Sequence, residues 1–106
     1  MYKGTTVRMG EEDIVVPSLS LGQLRCGVLD MLKEHDKLFA EDKTLDLLVL
    51  RGKIILEAVR RNYPDFDEAK LLDFLDMNNT TQIWLLVLGS SGFTPGEAKA
   101  AETSGT

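Results

Sequence analysis

The chain has 106 residues, 43% of them hydrophobic and 27% charged, which excludes a disordered chain and leaves room for one cored domain rather than two. Twelve Lys and Arg against seventeen Asp and Glu give a net charge of −5, and with no basic run this argues against nucleic acid or an anionic membrane as partner. The longest charge-free apolar run, Ile83 to Gly89, is far shorter than the ~20 residues of a membrane span, and Met1-Tyr2-Lys3-Gly4 lacks a signal-peptide core, so a soluble intracellular protein is expected.

Thr5 to Met9 and Ile14 to Val16 are β-prone, and the turn-like Gly10-Glu11-Glu12-Asp13 lies between them. This spacing predicts a β-hairpin over about 5–17 with a four-residue loop. Pro17 ends it, because proline has no N–H for a ladder. A lone hairpin is marginal in water, so this one must pack on other elements.

Helices are predicted next, over about 21–35, 45–62, 68–75 and 80–88. Ser20-Leu21-Gly22-Gln23 has the S-x-x-Q form of a capping box. At about 100° per residue, Leu21, Leu24, Val28, Leu29, Met31 and Leu32 share one arc. Gln23, Asp30, Lys33 and Glu34 fall opposite, Arg25 intrudes, and the stripe fades at His35-Asp36-Lys37.

Thr44 is the expected N-cap of the second long helix, and Asp46 in its first turn suits the helix dipole. Its apolar arc is wider than a helix on one side of a core needs. Leu50 falls within the polar arc, and Gly52 could admit a close neighbour. Pro64 disfavours helix at Tyr63 and stops the run. Asp67 then caps a short helix from Glu68 to Leu75, and Asn78-Asn79-Thr80 is a second stop and cap. For Ile83 to Leu88, periodicity allows a buried strand or a buried helix. The cap before it and Gly89 after it favour helix. From Ser90 on the chain is rich in Gly, Ser, Thr and Ala, with Phe93 its one large apolar residue, which predicts a flexible, disordered tail over 90–106. The expected fold class is mainly α: a small helical domain over 1–89 with an N-terminal β-hairpin.

Residues that could carry chemistry are few. Cys26 and His35 are the only cysteine and histidine. A single cysteine allows no internal disulfide, and a thiol zinc site is not expected. On one continuous helix they fall on opposite sides, about 13 Å apart along the axis at ~1.5 Å per residue, so they form no dyad. Cys26 reads as a small, semi-buried filler and His35 as the edge of the apolar stripe. Gly89-Ser90-Ser91-Gly92 is not a G-x-S-x-G elbow. Asp73 and Asp76 lie one turn apart and could share a cation, but a solvated face explains them. A DNA-reading second helix should carry several basic residues, and Glu68 to Leu75 has one lysine. No catalytic, metal or cofactor residues are expected, and the chain reads as no enzyme. What remains is surplus apolar surface, which usually marks an interaction site. The candidate interaction surface is the flank of the second long helix at Leu47, Leu50 and Ile54.

The order of segments resembles the small tail assembly chaperones of long-tailed bacteriophages. Ile14-Val15-Val16-Pro17 runs into Leu19-Ser20-Leu21-Gly22-Gln23-Leu24, similar to their proline followed by x-L-x-L-G-Q-L. Ala58-Val59-Arg60-Arg61-Asn62-Tyr63-Pro64-Asp65 is similar to their a-l-r-r-n-y-P-d helix end. Leu75-Asp76-Met77-Asn78-Asn79 through Val87-Leu88-Gly89-Ser90-Ser91-Gly92 is similar to their L-D-x-x-N … V-L-G-x-S-G close. The likeness spans about Met1 to Phe93 and excludes Lys33 to Thr44. It implies a mainly helical, non-catalytic protein of the host bacterial cytoplasm, not retained in the mature virion. Such a protein holds the tail tape measure protein while tail protein polymerises around it. The resemblance further implies contact with the major tail protein and with a frameshifted longer form of the chain itself, while homo-oligomers are expected from the wide apolar face of the second long helix. The alternative left open is a small helical regulator, antitoxin-like or DNA-binding.

Overall fold

A computed structural model describes residues 1–90, apart from the Ser90 side chain. Strand β1 (Gly4–Met9) pairs antiparallel with β2 (Glu12–Pro17), in register from Gly4 opposite Pro17 to Met9 opposite Glu12. The loop has two residues rather than the expected four. Gly10 takes φ +66°, the positive φ that a II′ hairpin turn asks of its first central residue. Glu12 and Asp13 therefore join the strand, where Asp13 pairs with Arg8 at 3.2 Å on the surface. Ile14 and Val16 alternate inward from β2 and are buried.

The capping box forms as the sequence predicts. Gln23 N donates to Ser20 Oγ at 3.0 Å, and Ser20 N donates to Gln23 Oε1 at 2.9 Å. The helix that it opens does not run on to residue 35. Helix α1 (Leu21–Gln23) passes into a π-type turn, Leu24–Val28, where Cys26 and Gly27 leave helical geometry. Gly27 sits at φ +134°, ψ −23°, a conformation that L side chains rarely adopt. Helix α2 (Leu29–Ala40) starts afresh beyond it and extends past His35. The break removes Leu21 and Leu29 from the shared stripe. Leu21 is 85% exposed and Leu29 is also exposed, while Val28 is buried and Leu24, Met31 and Leu32 pack against the core.

Helix α3 (Thr44–Arg60) is the centre of the molecule. Its N-cap is Lys43, without a side-chain bond, so Thr44 is the first helical residue rather than the cap. Helices α2, α4 (Glu68–Phe74) and α5 (Asn79–Ser90) all contact it, as does β2. That surround is why its apolar arc is so wide: Ile54, Ile55, Ala58 and Val59 are fully buried. Gly52 does admit a close neighbour. Side chains supply it rather than backbone, since a Cβ there would lie 2.8 Å from Leu72 Cδ2 and 3.3 Å from Leu75 Cδ1.

Asp67 caps α4 by accepting from Ala69 N at 3.0 Å. Asp76, rather than Asn78, Asn79 or Thr80, sets the start of α5. Its Oδ1 accepts from Asn78 N at 2.8 Å and Asn79 N at 2.7 Å, while Asp76 N donates back to Asn79 Oδ1 at 2.8 Å. This reciprocal box resolves Ile83 to Leu88 as helix. Ile83, Trp84, Val87 and Leu88 fall on one side of α5 and are buried, and Leu85 and Leu86 face outward. The described part of α5 reaches Ser90, past the expected helix end at 88 and into the first residue of the expected 90–106 tail; the rest of that tail, 91–106, lies outside the described residues.

The hairpin is fastened to the end of α3 by polar contacts. Tyr2 N donates to Asn62 Oδ1 at 2.6 Å, and Asn62 Nδ2 donates to Tyr2 O at 2.9 Å and Val15 O at 3.2 Å. Val15 N donates to Tyr63 Oη at 3.1 Å, and Arg61 Nη1 donates to Ser18 O at 2.7 Å. Gln23 Nε2 reaches Glu57 O at 2.6 Å. Segments 14–24 and 58–65 therefore meet across this junction, and 75–79 builds the box at the start of α5.

Candidate binding surface

The three residues expected on an open flank of α3 are not a free surface in the protomer. Ile54 is 0% exposed and Leu47 8%. Leu50 is half-buried and packs against the core despite its place in the polar arc. A wheel gives the width of an apolar arc. It does not say which part of that arc neighbouring helices cover, and here they cover the side that holds these three.

The part left open lies at the other edge of the arc. Leu45 is 74% exposed and Val49, one turn later, 37%. With Leu48 they form one wall of a groove of about 220 Å³. Leu72 of α4, Leu75 just beyond its end and Met77 line it too, and Asp76 and Thr80 add polar atoms. Met77 is 73% exposed. The groove follows from the shortness of α4. That helix covers α3 at Gly52, then ends at Leu75 in extended backbone. The Asp76 box turns the chain into α5 before the first turns of α3 are covered. Asp76 is the one charged residue in the lining; Glu41, Asp42, Lys43 and Asp46, around the start of α3, are exposed. Leu45, Leu48 and Val49 were all visible in the wide arc of the sequence. The missing signal was the length of α4.

A second, open groove lies at the helix break, lined by Ser20, Gln23, Cys26, Gly27, Met31 and Glu57 among others. Cys26 is exposed there rather than semi-buried. His35 is in the interior of the fold, not at the edge of a stripe. Its ring stacks on Trp84 with centroids 4.6 Å apart. Arg51 Nε donates to His35 Nε2 at 2.9 Å, and His35 Nδ1 lies 3.2 Å from Asp36 Oδ1. Arginine can only donate, so Nε2 is the acceptor and Nδ1 carries the proton toward Asp36. Arg51 also donates to Thr81 Oγ1 at 3.4 Å and lies 5.6 Å from the Trp84 ring centroid. Desolvation by burial holds its guanidinium below its ordinary value. This layer joins α2, α3 and α5, and it gives His35 a packing role.

Asp76 is engaged in capping, and Asp73 lines a different groove with Met9, Phe66 and Lys70. Among the described residues no group of three or more His, Cys, Asp or Glu could hold a metal ion. No helix among them is long and apolar enough to cross a membrane. Compared with protein-family models, with curated proteins and with solved structures, the chain matches none.

Proposed function

We propose that the chain is a tail assembly chaperone of a long-tailed bacteriophage, a non-catalytic protein that holds the tape measure protein in the host bacterial cytoplasm during tail assembly. The observation that carries this is the apolar groove of Leu45, Leu48, Val49, Leu72, Leu75 and Met77, left open beside the core. A holder of an elongated partner needs apolar surface of this kind, net charge for solubility, and binding weak enough to be reversed. The net charge is −5.

The resemblance in segment order supports the same reading, because its segments coincide with structural junctions: the Ser20 box, the Asn62–Tyr63 clamp and the Asp76 box. A DNA-binding regulator is disfavoured. The only lysine of α4, Lys70, is paired with Glu12 at 2.8 Å, and the helix is otherwise acidic or apolar.

Co-expression with the tape measure protein of the same genome tests the proposal. The tape measure protein should move into the soluble fraction and co-purify with this chain. A tape measure protein that stays insoluble and uncaptured overturns it.

A further inference from the structure

We infer that His35 is an acid-sensitive latch for α5: a proton taken up at its Nε2 makes a donor of the atom that Arg51 needs as acceptor, and the layer joining α2, α3 and α5 opens at Arg51. The ring is buried, its side chain 4% exposed. It stacks on Trp84 at 4.6 Å, and Arg51 Nε donates to its Nε2 at 2.9 Å. Nδ1 lies 3.2 Å from Asp36 Oδ1 and carries the proton of the neutral ring. An imidazolium has donors at both nitrogens, so no rotation of the ring gives Arg51 its acceptor back. The guanidinium stays charged and cannot yield by losing a proton of its own.

Two charged groups face the ring, Asp36 from its own helix and Arg51 from α3, and α5 (Asn79–Ser90) has no ionisable residue. Asp36 and the π face of Trp84 favour a cation at His35. The Asp36 side chain is 42% exposed, so water screens its charge, and the Trp84 face is shared with Arg51, 5.6 Å from the centroid. Burial and the guanidinium at hydrogen-bond distance oppose the cation. They prevail because the ring is out of water while Asp36 is half in it. Arg51 relieves the repulsion, since it is half-buried and can turn to water. It then leaves Thr81 Oγ1, at 3.4 Å, and the Trp84 face, both on α5.

His35 is the only histidine, so nuclear magnetic resonance of the full chain follows a single imidazole from about pH 8 to about pH 5, a window that spans the ordinary histidine midpoint. That midpoint should lie below the ordinary ~6.5. The Arg51 Nε–H signal should move in the same step to the position of an arginine in water. Arg51→Met removes the guanidinium and should raise the midpoint. Urea unfolding reads the same proton. Unfolded, His35 takes it up near ~6.5, and folded only at lower pH, so stability is full above that point and is lost as pH falls below it. Between about pH 7.5 and about pH 5.5, where most carboxylates stay ionised, the unfolding constant should rise several-fold, up to about tenfold. His35→Gln, which keeps an acceptor oxygen and cannot be charged, should remove most of that rise. A midpoint at or above ~6.5, or no titration before the chain unfolds, overturns the inference. So does a low midpoint at which the Arg51 signal stays put. A midpoint unchanged in a folded Arg51→Met variant gives the effect to burial alone and also overturns it; should that variant not fold, the two wild-type signals decide.

Discussion

Replacing Gly27 with alanine tests the break between α1 and α2, the largest departure of the fold from a straight reading of the apolar pattern. An ideal Cβ at Gly27 meets no atom within 4 Å. Packing therefore contributes nothing, and the whole effect comes from the backbone. A non-glycine residue held in so sparsely populated a region costs on the order of 1–3 kcal/mol. Alanine returns about 0.4–1 kcal/mol by narrowing the unfolded ensemble. The net expectation is a loss of about 1–2 kcal/mol. For a domain of this size each kcal/mol lowers Tm by roughly 4–8 °C. Gly22→Ala is the matched control. Gly22 lies inside α1, exposed, and a Cβ there meets only Ser20 Oγ at an ordinary 3.7 Å, so alanine should stabilise by about 0.5–1 kcal/mol. Urea and thermal unfolding followed by circular dichroism read both. Opposite signs support the break. A neutral or stabilising Gly27→Ala would show a continuous helix from Leu21 and refute this account of α1 and α2.

Other substitutions test the junctions and the core. Asn62→Ala removes three hydrogen bonds that tie Tyr2 and Val15 to the end of α3; a loss of about 1–3 kcal/mol should appear with faster proteolysis of the first strand. His35→Ala empties the space against Trp84 and takes the acceptor from Arg51, so urea unfolding should show a loss of about 2–3 kcal/mol, whereas exposed Cys26→Ala should stay within about 0.5 kcal/mol. Ile54→Ala, at a fully buried site, should cost about 2–5 kcal/mol, while Leu45→Ala should leave stability nearly unchanged.

What the sequence made legible was mostly local. The Ser20–Gln23 box and the Asp67 cap each need only a few consecutive residues, and both form as their spacing implies. Ile83 to Leu88 was ambiguous in pattern because every residue is apolar. The Asp76–Asn79 box and the surrounding packing decide it. Gly27 was hidden by a coherent stripe, since a wheel scores apolar positions and is blind to a φ that only glycine tolerates. The hairpin loop was read as too long because Glu12 and Asp13 look turn-like, although both can point outward from a strand. Leu47, Leu50 and Ile54 are covered in the protomer for a tertiary reason. The breadth of the α3 arc was visible, but which edge stays uncovered depends on where α4 stops, and no periodicity within α3 records that.

Hydrogen–deuterium exchange of the chain, alone and with the co-expressed tape measure protein, tests the central claim most directly. The account places the partner on the groove, so slowed exchange should concentrate in 42–50 and 72–80, with the β-hairpin and the Asn62 junction unchanged. Protection confined to the hairpin or to the exposed face of α5, or no protection in a complex that does form, would contradict it.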